Sequence, residues 1–492
     1  MALALKIFGG ALLLLIVAAG LAITIVPRFL DRIYYRGGES DHYDGERFFN
    51  PDNDRDTMGM PAGGSRAGFF WRQLTGRDGR PDWPTQVSVT PSKPAARVEG
   101  DRMVVTWIGH ASVLIQTNGL NILTDPVYAD RAGPLGFGPK RVAAPGVAFD
   151  DLPRIDLVLV SHNHYDHLDQ ATLKRLWQRD RPQIVTSLGN DSVIGQTGAR
   201  AMALDWGGNA TLTRQGWQDT SDDMRCDPAG DCPGDRARVF ITRNHHWGSR
   251  WFTDRNRALW SSFVIALPSG GNIFFAGDTG FGDGLWPAEA AAYGPIRFAM
   301  IPIGAFRFAP GQMSSGSHIG PAEAALVHQR LGAARSMAIH WGTFRLSYEG
   351  YDTPPKMLAA AMRCTGGTGF DAAAIGVPFD VPVYATPQTG KSLPRDAMLE
   401  CLDTPEVKAL RYQPVLVTPA NVDTDGYATA VCRTPLPCLT VPASSAWRPS
   451  RRCRCDATPL SKRLRQPVVQ LLPTHQLACP VRQERRCEHG QQ

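Results

Sequence analysis

The sequence feature that most constrains the fold is a histidine-rich segment directly after an apolar run. Residues 155–160 are almost wholly apolar, which indicates a buried strand, and residues 161–169 then read Ser-His-Asn-His-Tyr-Asp-His-Leu-Asp. Three histidines and one aspartate within six positions are hard to place in a core, because each buried polar group needs a partner. A metal ion supplies all those partners at once. We therefore interpret the segment as part of a metal site at a strand end, with zinc as the expected metal and iron or manganese as alternatives.

Three later segments carry further residues of the same chemistry. The residues are His246, in Asn-His-His-Trp-Gly at 244–248, Asp278, in Ala-Gly-Asp-Thr-Gly at 276–280, and His340, in Ala-Ile-His-Trp-Gly at 338–342. Each segment ends an apolar or β-like run, so we expect the three side chains at the same edge of the fold as the histidine segment. The carboxylate of Asp278 is suited to bridging two cations. A hydrogen-bonded core histidine at position 340 and a turn-stabilising aspartate at position 278 are the alternatives.

The hydrophobic pattern between residues 100 and 390 predicts an α/β domain. Short β-rich runs separated by glycine-containing turns at 103–108, 112–116 and 121–124 indicate successive antiparallel strands. Further strands are predicted at 155–160, 184–186, 239–242, 262–266, 273–275, 299–302 and 336–339, and helices at 169–177, 321–331 and 354–362. Strands followed by helices, repeated twice, favour an αββα sandwich over a single closed barrel.

The chain outside this domain divides into three parts. Residues 7–26 carry no charge and are long enough to cross a bilayer, so residues 1–36 are predicted to be a membrane anchor, with a cleaved signal peptide and a buried core helix as alternatives. The flanking charges do not fix which side of the membrane the domain lies on. Residues 37–99 are polar and are interpreted as a linker that precedes or wraps the domain. Residues 391–492 are rich in Arg, Pro and Cys and are predicted to be a disordered tail.

Charge and cysteine content narrow the possible partners. The formal net charge is +6, but residues 441–492 contain ten Lys or Arg and three Asp or Glu. The predicted domain therefore has no surplus of basic residues, and no nucleic acid is expected as a partner.

Of the ten cysteines, Cys226 and Cys232 bracket a polar loop. They are expected to be bridged in an oxidising compartment or to be two free thiols.

A series of motifs in order resembles the N-acylphosphatidylethanolamine-hydrolysing phospholipase D family, a membrane-associated branch of the metallo-β-lactamase superfamily. The motifs, which span about residues 100–365, are Thr106-Trp-Ile-Gly-His-Ala-Ser112, Thr124-Asp-Pro-Val127, Gly138-Pro-Lys-Arg141, Asp151-Leu-Pro153, the histidine segment, Phe274-Phe-Ala-Gly-Asp-Thr-Gly280, Ile301-Pro-Ile-Gly-Ala305 and Met337-Ala-Ile-His-Trp-Gly-Thr-Phe344. The resemblance implies a metallo-β-lactamase sandwich with two zinc ions. Several motifs in order are far more specific than the histidine segment alone.

The resemblance also implies a role for each candidate residue. One zinc ion is held by His162, His164 and His246, the other by Asp166, His167 and His340, and Asp278 bridges them. Asp125 is expected to orient a ligand, His318 to lie near the substrate and His110 to line the pocket. The implied catalytic residues are Asp166, Asp278 and His318. The alternatives are His245 in place of His246 as a ligand, a strand-ending aspartate at 125, a surface-loop histidine at 318 and a structural turn histidine at 110.

The resemblance finally implies an activity. The expected reaction is hydrolysis of a phosphodiester, with N-acylphosphatidylethanolamine giving N-acylethanolamine and phosphatidic acid, by an enzyme anchored in a bacterial inner membrane. A hydrolase of another phosphodiester, a lactone or an ester is one alternative, because the fold supports many reactions. A membrane-tethered metal-binding protein without turnover is the other. The expected partners are a phospholipid and the membrane, and the sequence predicts no oligomeric state.

Overall fold

The structure is a computed structural model of the chain, and it describes residues 2–24, 33–52, 81–213, 216–219, 237–251, 253–308, 311–388 and 390–411. Within these ranges the chain forms two mixed β-sheets and eight α-helices. The helices are α1 (Ala2–Thr24), α2 (Gln170–Arg179), α3 (Asn190–Gly195), α4 (Trp286–Ala291), α5 (Pro321–Leu331), α6 (Thr353–Thr365), α7 (Arg395–Cys401) and α8 (Pro405–Arg411). Two short 3-10 helices lie at Pro134–Gly136 and Phe149–Asp151.

The first sheet begins as an antiparallel meander and continues as parallel strands. Its strands are β1 (Met103–Gly109), β2 (Ser112–Thr117), β3 (Leu120–Thr124), β4 (Leu157–Val160), β5 (Gln183–Ser187), β6 (Met202–Leu204) and, from the far end of the domain, β15 (Phe379–Val381). Their order in the sheet is β15-β1-β2-β3-β4-β5-β6. Strands β3 and β4 are parallel, with Thr124 opposite Leu159. The residues that follow these two strands therefore meet at one edge of the sheet.

The second sheet places four more strand ends at one edge. Its strands are β7 (Asn209–Thr213), β8 (Gly216–Asp219), β9 (Ala237–Thr242), β10 (Ser262–Ala266), β11 (Asn272–Phe275), β12 (Ile296–Pro302), β13 (Arg335–Ile339) and β14 (Phe370–Asp371), in the order β14-β13-β12-β11-β10-β9-β7-β8. Strands β11, β12 and β13 are parallel, and β9 runs in the same direction because β10 is antiparallel to both β9 and β11. The carboxyl ends of β9, β11, β12 and β13 therefore share an edge.

Three buried apolar clusters show the predicted four layers. The cluster between the sheets includes Leu157 and Leu159 of β4. The neighbouring residues Val158 and Val160 point to the opposite face, where the cluster includes Leu173 of α2. Because both faces of β4 are covered, the strand is a continuous apolar run. A third cluster packs α4 to α8 on the outer face of the second sheet. The αββα sandwich is therefore confirmed.

Helix α1 is apolar except for Lys6. Residues Leu3–Ala22 have a mean hydropathy of 2.3 and none of them is buried against the rest of the protein. This helix is long and apolar enough to cross a membrane, although a signal sequence has the same properties.

Part of the predicted linker packs on the domain. In residues 33–52, the side chains of Tyr43 and Phe48 are buried together with Leu259 and Trp260. This segment therefore wraps the folded domain rather than only preceding it.

The prediction that the domain ends at residue 390 is wrong, because α7 and α8 lie in the stretch assigned to the tail. Met398 of α7 and Val407 of α8 are buried in the apolar cluster over the second sheet. Two helices of seven residues offer too few apolar positions for a helical period to be recognised. The rest of the predicted tail, residues 412–492, lies outside the described residues.

A disulfide joins α7 to α6. Cys364 and Cys401 are bridged, with 37 residues of sequence separation, and Arg395 of α7 also pairs with the buried Glu323 at 2.5 Å. The sequence alone does not predict this pair, because cysteine spacing does not determine connectivity. Cys226 and Cys232 lie outside the described residues.

We expect this disulfide to stabilise the domain by about 3 to 4 kcal/mol, because it closes a chain loop of intermediate length. The thermal midpoint of the oxidised protein should exceed that of the protein treated with dithiothreitol. The double variant Cys364→Ser with Cys401→Ser should melt at the lower temperature and should not respond to the reductant. Equal midpoints for the oxidised and reduced protein would contradict this expectation.

Candidate metal centre

Five strand ends deliver polar side chains to one edge of the sandwich, and a sixth delivers a backbone carbonyl there. Strand β4 is followed by the histidine segment, and β3 is followed by Asp125. In the second sheet, β9 is followed by His245 and His246, β11 by Asp278, β12 by Gly304 and β13 by His340. The histidine segment also starts α2, because Asp169 caps the helix by accepting hydrogen bonds from the amides of Ala171 and Thr172. The segment is thus fixed at both ends, by a buried strand and by a capped helix.

The first group of converging side chains contains three histidines. His162 Nε2 lies 2.8 Å from His164 Nδ1, and His246 Nε2 lies 3.3 Å from the same atom. Together with a carboxylate oxygen of Asp278, these nitrogens all lie within 4.8 Å of one another. Three imidazole nitrogens at such distances cannot all be satisfied by sharing protons, whereas a cation at their centre would use every lone pair.

The second group contains His167, His340, Asp166 and His110. His167 Nε2 lies 3.1 Å from His340 Nε2, and Asp166 Oδ2 lies 3.5 Å from His340 Nε2. His110 Nε2 lies 3.0 Å from Asp166 Oδ2. Ligand atoms of all four residues fall within 4.8 Å of one another. The candidate ligands of a second cation are therefore these four residues, one more than Asp166, His167 and His340, which the resemblance implied.

Asp278 lies between the two groups. Its Oδ2 atom is 3.1 Å from His167 Nε2, 3.0 Å from His340 Nε2 and 3.9 Å from His246 Nε2. The side chain is 1% exposed, and its Oδ1 atom has no hydrogen-bond partner among the described residues. A buried carboxylate in this position has the geometry of a bridging ligand.

The ring nitrogens that point away from the centre are held by neighbouring groups. His167 Nδ1 donates to Asp125 Oδ2 at 2.6 Å, His246 Nδ1 to the Ser317 carbonyl at 2.9 Å and His340 Nδ1 to the Gly304 carbonyl at 2.7 Å. Asp125 also accepts from the hydroxyl of Ser161 at 2.6 Å, and that oxygen lies 2.9 Å from His162 Nδ1. Metal-binding histidines are usually oriented by such outer partners. Asp125 therefore lies where a residue that orients a ligand is expected.

The electrostatics of the two groups fit cations. Burial lowers the pKa of His164 to about 3 and holds the pKa values of His162 and His246 well below the usual range, so the first group consists of neutral imidazoles. Burial also acts to lower the pKa of His340, but the carboxylates of Asp278 and Asp166 outweigh it and raise that pKa to about 9.

The interactions between these histidines and aspartates also stabilise the charged form of the carboxylates. Burial would raise the pKa of Asp278, but His167 and His340 hold it well below its usual range. Ionised carboxylates buried at this depth need a nearby positive charge, which imidazolium groups or metal ions can supply. Some buried polar atoms, among them His164 Nε2 and His318 Nδ1, have no hydrogen-bond partner in the part of the chain that the structure describes, which is a further sign of a site built for ligands.

His318, His110 and His245 relate to the two groups in different ways. His318 Nδ1 is 3.8 Å from Asp278 Oδ2, and burial lowers the pKa of His318 to about 3. His110 lies in the turn between β1 and β2 with a φ of 54° and is buried, so it is a turn residue and a neighbour of Asp166 at once. His245 does not join either group, because its Nδ1 lies 2.9 Å from Asp52 Oδ1.

Sequence reasoning missed several residues that shape this centre. Asn244 donates to the carbonyls of Ala276 and Asp278, at 3.1 and 3.0 Å, and the Trp247 ring lies 4.2 Å from the His164 ring. Both flank the two histidines at 245 and 246, which is the signal that could have identified them. Asn50 and Asp52 also contact this region, but nothing in their local sequence indicates it.

Comparison with known proteins agrees with this geometry. A beta-lactamase superfamily domain model matches residues 120–341. The chain is 35% identical over 257 residues to N-acyl-phosphatidylethanolamine-hydrolyzing phospholipase D 1 of Caenorhabditis elegans. This match covers 52% of this chain and 68% of the relative. The chain is 30% identical over 296 residues to an uncharacterised protein of Mycobacterium tuberculosis, covering 57% of this chain and 72% of the relative. The mitochondrial N-acyl-phosphatidylethanolamine-hydrolyzing phospholipase D of Saccharomyces cerevisiae is 29% identical over 264 residues, covering 53% of this chain and 52% of the relative.

The histidine and aspartate groups at one sandwich edge and these similarities lead to the same assignment. The chain is a metal-dependent hydrolase, and it belongs to the N-acylphosphatidylethanolamine-hydrolysing phospholipase D-like family of the metallo-β-lactamase superfamily.

Proposed function

We propose that the protein is a dinuclear zinc phosphodiesterase that hydrolyses N-acylphosphatidylethanolamine. The observation that carries the proposal is the position of Asp278 between two groups of ligand-type side chains. Under this proposal His162, His164 and His246 hold one ion, Asp166, His167 and His340 hold the other, and Asp278 bridges them. Imidazole and carboxylate ligands suit zinc, and iron or manganese would fit the same donors.

The substrate class is supported by the relatives and by the apolar helix. Two relatives at 29% and 35% identity carry the name of this phospholipase activity. In the reaction, water adds to phosphorus and the bond from phosphorus to the ethanolamine oxygen breaks. The products are N-acylethanolamine, which takes the proton, and phosphatidic acid.

The chemistry divides between cofactor and protein. Two bound divalent cations supply Lewis-acid polarisation of a phosphoryl oxygen and a water of lowered pKa, so no protein nucleophile is required. Asp278 keeps the two ligand groups in a fixed relation, and the outer contacts of the imidazoles keep their lone pairs directed inward. His318, a neutral imidazole beside Asp278, is positioned to donate a hydrogen bond to a phosphate oxygen.

The membrane location is part of the proposal. Helix α1 would hold the enzyme at a lipid surface and so raise the concentration of a phospholipid substrate near the centre. The disulfide between Cys364 and Cys401 supports a location of the domain in an oxidising compartment, because disulfides persist there and are rare in the cytosol. If the enzyme is anchored in a bacterial inner membrane, we therefore propose the periplasmic side for the domain.

The products formed from defined lipids test the substrate assignment. The zinc-loaded full-length protein in mixed vesicles containing N-palmitoylphosphatidylethanolamine should release N-palmitoylethanolamine and phosphatidic acid in equal amounts, measured by mass spectrometry. In water enriched in oxygen-18, the label should enter only the phosphatidic acid, because the bond to phosphorus breaks. Unchanged lipid beside cleavage of a simple phosphodiester, a lactone or an ester would assign another hydrolase activity, and bound metal with no hydrolysis would indicate a non-catalytic protein.

The ligand groups are tested by Asp278→Asn and His164→Ala. Each variant should lower turnover by on the order of 10³-fold or more, because several kcal/mol of transition-state stabilisation depend on the metal ions. Metal content by elemental mass spectrometry should fall below two ions, with circular dichroism unchanged. Asp371→Asn, at a carboxylate that is 80% exposed, is the matched control and should behave as wild type. Near-normal rates in both site variants would refute the dinuclear centre.

The role of His318 is tested by His318→Leu, because leucine has no hydrogen-bond donor. Loss of a hydrogen-bond donor to the phosphate should lower kcat/KM by about 10²-fold while two metal ions remain bound. Steady-state kinetics and metal analysis of the same sample separate the two effects. Wild-type kinetics would identify His318 as a loop residue without a catalytic role.

A further inference from the structure

The segment between the apolar helix and the domain contacts the metal centre through Asn50. This side chain is 3% exposed and lies against the backbone of a proposed metal ligand. Its Nδ2 donates to the His246 carbonyl at 2.9 Å, and its Oδ1 accepts from the His246 amide at 3.2 Å and from Trp260 Nε1 at 3.1 Å. One amide side chain therefore satisfies both backbone groups of His246, which lies beyond the end of β9 and is outside its hydrogen-bond ladder.

Asp52 makes the second contact and joins two ligand-bearing loops. One carboxylate oxygen lies 2.9 Å from His245 Nδ1, and the other accepts from the Asp283 amide at 2.7 Å. His245 precedes His246, and Asp283 lies in the turn that follows Asp278. The approach is close, because a Cβ at Gly282 would overlap both Asp52 Oδ2 and His245 Nδ1.

The two contacts fix the loops from outside the ligand groups. The ring of His246 is held by the Ser317 carbonyl through Nδ1, the nitrogen that points away from the centre, and its backbone is held by Asn50. The turn after Asp278 is held to the same segment by Asp52. Fixing both the ring and the backbone of a ligand restricts the directions in which its lone pair can point.

We infer that Asn50 and Asp52 are positioning residues for the site formed by His162, His164 and His246, so that the segment leading from α1 completes this half of the metal centre. The inference rests on the proposed dinuclear centre. It extends the functional unit beyond the sandwich, into the stretch between the apolar helix and the first strand.

The variants Asn50→Ala and Asp52→Ala test this inference in the full-length protein. The readout is zinc per protein after dialysis against a graded series of zinc buffers, followed by elemental mass spectrometry. Each variant should bind one of its two ions about 10- to 100-fold more weakly than wild type, the usual effect of removing an outer partner of a ligand, and should bind the other ion normally. Asn50→Asp keeps the acceptor for the His246 amide but loses the donor to its carbonyl, so an intermediate affinity is expected.

Tyr34→Phe is the matched control. It removes a 3.0 Å hydrogen bond from Tyr34 to Asp254, which joins the same segment to the domain without touching His246. This variant should keep wild-type affinity for both ions.

Several results would overturn the inference. One such result is wild-type affinity for both ions in the two alanine variants. If these variants also melt at a lower temperature in the metal-free state, Asn50 and Asp52 have a purely structural role. If the alanine variants do not fold, Asn50→Asp and Asp52→Asn replace them under the same criteria. Fewer than two ions in the wild-type protein would instead refute the dinuclear centre on which the inference rests.

Discussion

The arrangement of the centre depends on one buried carboxylate, that of Asp125. It is fully buried, follows β3, and accepts hydrogen bonds from the amide and hydroxyl of Ser161 at the end of β4 and from the ring of His167. Burial of a carboxylate is costly unless every acceptor is used, so these donors must converge for the domain to fold well. Because Ser161 in turn contacts His162, a single side chain orients one histidine in each ligand group.

The remaining ligand-type residues come from the other half of the sandwich. His246, Asp278 and His340 follow strands of the second sheet, whereas the histidine segment follows a strand of the first. The two groups therefore form only when the sheets are packed on each other. The apolar layer between the sheets and the polar edge support one another, since packing brings the ligands together and bound cations would hold the two sheets at that edge.

The parts that sequence could predict are those encoded locally. The run before Ser161, the histidine segment and the apolar runs before Asp278 and His340 each carry their signal within a few residues, and the structure has a strand at each of the three apolar runs. Contacts between distant loops leave no such trace. Asn50 reaches His246 across 196 positions, and Cys364 pairs with Cys401 by virtue of how α7 packs on α6. His110 was recognised through a motif, but its closeness to Asp166 depends on how a turn meets a loop.

The burial of β4 on both faces has a consequence for strand pairing. Its four residues are all apolar, two toward each neighbouring layer, so a shift of one position against β3 would still bury apolar side chains on both faces. Hydrophobic burial alone thus discriminates poorly between the correct register and its neighbours. The contact of Asp125 with Ser161 does discriminate, because a shifted strand would leave that carboxylate without its donors. The polar residues that orient the candidate metal ligands therefore also fix the register of β4 against β3.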